Sequence, residues 1–163
     1  MTGQADYSGP ELCQRQAHEV VALLKSGDIS PQYCLDAAFS RIADIEPAIN
    51  AMPILCPERA RTAAAALSPP QNAQEPWLAG LPLAIKDLNM VAGVRTTFGT
   101  KAFSDFIPDS SDLLVTRLES RGGIVVGKTN TPEMGAGGNT FNDVFGPTLN
   151  PWDTELNAGG SSG

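Results

Sequence analysis

The chain has 163 residues, 42% of them apolar and 18% charged, with a net charge of −7; that length suits a single domain with a core of its own. An acidic chain with few aromatics offers little to a phosphate backbone, which argues against nucleic acid as a partner. No run of about 18 apolar residues occurs, so no membrane span is expected, and the opening MTGQADYSGPEL lacks the basic and apolar regions of a secretory leader.

Residues 11–26, ELCQRQAHEVVALLKS, bring Leu12, Ala17, Val20, Val21 and Leu24 near one helical face, and Gly27 supplies a stop. Ser30-Pro31 reads as an N-cap followed by proline at the first helical position. Cys34, Leu35, Ala38, Phe39, Ile42 and Ile45 then recur at threes and fours, and Pro47 is expected to end this second helix. Residues 1–46 therefore read as a helical scaffold. Residues 50–55 suit a short strand, Pro57 opens an alanine-rich helix to about Leu67, and 68–76 is a polar loop with three prolines.

After Gly80 the texture changes. LPLAIKDLNMVAGV is almost continuously apolar, as a buried strand would be. Asp112 to Arg121 reads as a helix with Leu113, Leu114 and Leu118 on its apolar side, closed by Gly122-Gly123. GIVVG (123–127) is a second buried strand. From Lys128 the chain is rich in glycine, asparagine and proline, and reads as a loop of more than thirty residues; a compact domain keeps so long a loop when it is functional. The order of elements predicts an α/β fold, a sheet flanked by helices. Three short strands make a thin sheet, part of a larger one.

Cys13, Cys34 and Cys56 are odd in number, widely spaced and free of any CxxC pattern, which predicts reduced thiols and a cytoplasmic setting, with neither disulfides nor a metal site. The single histidine, His18, lies in a helical stretch at an expected surface. A Ser-His-Asp mechanism would rest on it alone, so a nucleophile here needs another base. Gly122 to Thr129 satisfies GxxxxGK[ST], but a phosphate loop needs a strand before it, a flexible middle and a helix after it. Here a helix precedes, the middle is β-branched and apolar, and Thr131-Pro132 follows at once, so the match is rejected. Lys86 ends the run Leu81-Pro82-Leu83-Ala84-Ile85. One account is a strand-end lysine reaching solvent along its alkyl stem. The other is a partly desolvated lysine, whose neutral amine can serve as a base for a serine.

GLPLAIKDL, GVRTTFGT, GGIVVGKTNTPEMGAGGNTFNDVFGPTLNPWD and the closing GGSSG resemble the amidase signature family in order and spacing. The resemblance runs from about Leu12 to the last residue and is strongest over residues 80–163. Asn157-Ala158 departs from the small hydroxyl residue and proline that many relatives carry before the glycines.

The resemblance implies a hydrolase of carboxylic amides that works through an acyl-enzyme with a Ser–cisSer–Lys triad and no cofactor. It also implies a large mixed sheet flanked by helices. Residues 1–163 would then be the N-terminal part of a single amidase domain, with 80–163 the start of its catalytic core. Lys86 matches the basic lysine, and Ser161 the middle serine that follows a cis Gly160-Ser161 bond and relays a proton. Met134, Gly135, Ala136 and Gly137 match a segment lining the acyl pocket, and Gly159, Gly160 and Ser162 support the loop. In the family the nucleophilic serine follows roughly two dozen residues after the middle one, in a glycine-rich turn that forms the oxyanion hole. It would lie beyond Gly163, so these residues alone are expected to be inactive. The implied partner is a small amide substrate, with a homodimer as a candidate assembly of the full-length form. Two alternatives stand beside this: a tRNA-dependent amidotransferase, as its amidase-like component, and a non-catalytic remnant.

Overall fold

The computed structural model describes residues 9–72 and 74–163. Most of the stretch inspected for a leader, and Ala73 of the polar loop, lie outside the described residues. In chain order the elements are α1 (Ala17–Ser26), α2 (Pro31–Ile49), β1 (Ile54–Leu55), α3 (Pro57–Ala66), β2 (Pro82–Lys86), α4 (Leu113–Ser120) and β3 (Ile124–Thr129). Four short strands follow: β4 (Phe141–Asn142), β5 (Gly146–Pro147), β6 (Leu149–Asn150) and β7 (Asp153–Asn157).

The main sheet has the order β1-β3-β2, with β2 parallel and β1 antiparallel to the central β3. Side chains alternate across a strand, and β3 uses both faces. Val125 joins Ile54, Ile85, Val91, Val94 and Val115 on one side. Ile124 and Val126 join Leu35 and Ala60, from α2 and α3, on the other. A third cluster, Val20, Leu24, Cys34 and Ala79, locks α1 onto α2. The result is a helix–sheet–helix sandwich, the α/β architecture expected.

Several local expectations need correction. The first helix begins at Ala17, where the Glu19 carboxylate accepts the Gln16 amide at 2.8 Å; residues 11–14 form a separate 3-10 turn. Pro47 does not end α2, which runs on to Ile49 and closes on a left-handed Asn50. So near the helix end, proline removes one bond to a carbonyl that water can serve, and Asn50 N–H still reaches the Glu46 carbonyl at 2.9 Å. On α4 the core-facing residues are Val115, fully buried, and Leu118; Leu113 and Leu114 are 73% and 55% exposed. The helix starts at Leu113, and only the i, i+3 pair faces the sheet. The apolar run after Gly80 keeps a strand only to Lys86, then turns. The region after Thr129 is not one open loop. It folds into two small antiparallel ribbons, β4–β5 and β6–β7. Among the described residues no helix is long and apolar enough to cross a membrane.

Candidate active site

Lys86 is the last residue of β2 and pairs in register with Thr129 of β3. It leaves the strand on the side opposite the buried Ile85 and is half-buried. Its Nζ meets Ser161 Oγ at 2.6 Å, a hydrogen bond between residues 75 apart in sequence. The lysine terminus is thus engaged by a serine hydroxyl.

A polar lattice brings Ser161 to that point. Asn130 follows β3 and is fully buried. Its Nδ2 donates to the Gly146 carbonyl and to Thr148 Oγ1, both at 3.1 Å, and its Oδ1 accepts from Thr131 N at 2.9 Å and Asn142 Nδ2 at 2.7 Å. Thr148 Oγ1 donates in turn to the Asn50 carbonyl at 2.8 Å, which ties the ribbons to the end of α2. Thr140, also fully buried, donates its amide to the Gly159 carbonyl at 2.7 Å and accepts Gly163 N–H on its Oγ1 at 3.1 Å. The Ser161 loop is thereby clamped from both sides. Gly160 sits so close that a Cβ there would lie 2.9 Å from Thr140 Oγ1 and 3.0 Å from the Gly138 carbonyl oxygen. The Gly160-Ser161 peptide bond is cis.

Met134, Gly135, Ala136 and Gly137 form a tight turn beside this loop. Met134 N–H donates to the Phe98 carbonyl at 2.7 Å, and Met134 and Gly135 both adopt positive φ, 50° and 72°. A Cβ on Gly135 would strike the Leu88 side chain at 2.5 Å, so the turn lies against the segment that follows Lys86. Ala136 and Gly137 line a concavity of about 350 Å³ with Gly138, Asn139 and Phe141. Gly159 is half-buried and engaged with Asn157 Oδ1 at 2.8 Å, whereas Ser162 is exposed.

Sequence reasoning missed the polar groups behind Lys86. Asp87 and Lys128 are both fully buried and form an ion pair at 2.8 Å. Burial pushes the Lys128 ammonium down, and the Asp87 hydrogen bond and charge offset part of that. Two features could have flagged them: a charged residue directly after Lys86, and a lysine ending a β-branched run. Lys128 also disposes of the phosphate-loop match, since its Nζ is consumed by Asp87 and Thr96 inside the protein. His18 is exposed on α1, and Cys13, Cys34 and Cys56 are free. Among the described residues no group of three or more His, Cys, Asp or Glu side chains could hold a metal ion.

The family model described as Amidase matches residues 34–163. An acylamidase of Rhodococcus erythropolis is 43% identical over 148 residues, covering 90% of this chain and 31% of the relative. The solved structure of 6-aminohexanoate cyclic dimer hydrolase complexed with substrate aligns with a TM-score of 0.84 at 33% identity, over 94% of this chain and 31% of that one. A glutamyl-tRNA(Gln) amidotransferase component of Halothermothrix orenii is 38% identical over 153 residues, 94% of this chain and 31% of that relative. The chain thus spans less than a third of the length of these relatives. With a family match over residues 34–163 and a TM-score of 0.84 to a solved hydrolase of which it covers 31%, the chain belongs to the amidase family, of whose fold it makes up a part.

Proposed function

We propose that the full-length protein hydrolyses the C–N bond of carboxylic amides through an acyl-enzyme, with Lys86 as base and Ser161 as proton relay. The observation that carries this is the 2.6 Å contact between Lys86 Nζ and Ser161 Oγ. A serine hydroxyl is a weak nucleophile until a base removes its proton, and this chain places no histidine at the site. In the forward step a nucleophilic serine beyond Gly163 attacks the amide carbonyl. Its proton passes to Ser161 as the Ser161 proton passes to Lys86 Nζ. When the C–N bond breaks, that proton returns through Ser161 to the leaving amine, and water then releases the acid by the same route. The turn at Met134–Gly137 lies beside the acyl group, where glycine lets substrate approach the main chain. The substrate is a small alkyl or aryl carboxamide.

Three free thiols support a cytoplasmic setting. The 38% identity to an amidotransferase component supports the second reading, in which the same site releases ammonia within a larger complex. Turnover of benzamide by full-length protein should fall by about 10³-fold in Lys86→Ala. Full turnover in that variant would overturn the assignment, and ammonia release from glutamine only with partner proteins present would favour the amidotransferase. Residues 1–163 alone should show no turnover, because they lack the nucleophile this scheme requires.

A further inference from the structure

Asp87, the residue that follows Lys86, is fully buried between two half-buried neighbours. Asp87 N–H extends the β2–β3 ladder by donating to the Thr129 carbonyl at 3.0 Å. Its carboxylate is fully buried and divided between two regions. Oδ1 accepts Lys128 Nζ of β3 at 2.8 Å, while Oδ2 accepts both the amide and the hydroxyl of Thr97, at 3.0 and 2.6 Å. Lys128 Nζ makes a second bond, 2.8 Å to Thr96 Oγ1. Thr97 Oγ1 also accepts the Gly99 amide at 3.0 Å. The cluster of two charges and two hydroxyls therefore pins the end of β2 to β3 and to the loop at residues 96–99.

Stability is a poor reason to keep such a cluster. A buried ion pair loses hydration on both partners, and apolar residues of similar volume often serve as well or better. What charges and directional hydrogen bonds supply is geometry: one arrangement satisfies every group, and a shifted one strands a charge. Lys86 is one peptide away from that anchor and must meet a hydroxyl carried on a separate loop.

We propose that Asp87 and Lys128, with Thr97, are positioning residues that fix the end of β2 so that Lys86 Nζ meets Ser161. This rests on the amide-hydrolase reading above. Neither Asp87 nor Lys128 is proposed to touch substrate.

The test replaces the pair with apolar residues, Asp87→Leu with Lys128→Met, in the full-length protein. Benzamide turnover, thermal midpoint and a crystal structure are compared with wild type. The expected result is a folded protein with kcat lower by on the order of 100-fold, KM within about twofold, and a lengthened Lys86–Ser161 contact. A merely structural pair would give wild-type kcat and an unchanged contact once folding is retained, and that outcome overturns the proposal. Should this double variant fail to fold, Thr97→Val keeps both charges and removes the hydroxyl that donates to Asp87 and accepts the Gly99 amide. It should lower kcat about fivefold and lengthen the contact, with Thr97→Ser restoring both; wild-type values for both in Thr97→Val would overturn the proposal. If wild-type protein shows no turnover, the hydrolase reading fails. The Lys86–Ser161 distance then decides the positioning proposal alone.

Discussion

The two halves of the site are built from different materials. Lys86 stands on a sheet whose central strand is buried on both faces by Val, Ile, Leu and Ala side chains. Ser161 stands on a segment, residues 130–163, with almost no apolar core. Phe141, Trp152 and Leu156 there are 61%, 88% and 55% exposed, and order comes from side-chain amides and hydroxyls that satisfy the backbone. Apolar packing is non-directional and tolerates small shifts. Hydrogen bonds fix direction, and leaving a buried partner unmatched is costly. The sheet half should therefore fail by losing stability, and the loop half by losing its alignment.

The largest effect should come from the sheet half. Leu35, fully buried between α2 and β3, changed to alanine should cost about 3 kcal/mol in a denaturant titration. The Lys86–Ser161 contact should survive in whatever fraction remains folded. In the loop half, Asn130→Ala strands the groups it now serves and should cost about 2 kcal/mol. Its distinguishing mark is hydrogen exchange, with amides of residues 140–163 losing protection before those of β3. Equal loss of protection across both regions would erase the distinction between the halves. A smaller effect is expected at Gly160, where an alanine Cβ would meet Thr140 Oγ1 at 2.9 Å. Gly160→Ala should lower kcat about tenfold while moving the thermal midpoint little. The smallest effect is chemical. Burial, with a smaller contribution from nearby Cys13, pushes the Cys34 thiol up to about 11, so at pH 8 it stays protonated. Iodoacetamide should modify the exposed Cys13 and spare Cys34; equal labelling would show that α1 and α2 separate readily.

The same division explains what could be read in advance. The helices and the strands β2 and β3 were legible because apolar periodicity reports burial directly. The stopping point of α2 was not, since a proline near a helix end costs one bond and Asn50 supplies a closing turn just past it. Leu113 and Leu114 misled because composition does not say where a short helix begins, and one residue of phase turns its face. Lys128 was legible only as part of a false phosphate-loop match; nothing in its spacing shows that Asp87 waits 41 residues earlier to neutralise it. The meeting of Lys86 with Ser161 came from family resemblance alone. The ribbons that bridge them are held by asparagine and threonine, residues that look the same in sequence whether they bind water or a buried backbone.

The most direct test of the central claim is a double-mutant cycle on full-length protein, with Lys86→Ala, Ser161→Ala and the pair assayed for amide turnover. A base and its relay act as one unit, so the double variant should lose no more than the worse single, on the order of 10³-fold in kcat. Losses that multiply, or a single variant that keeps wild-type turnover, would contradict the assignment of these two residues to one proton path.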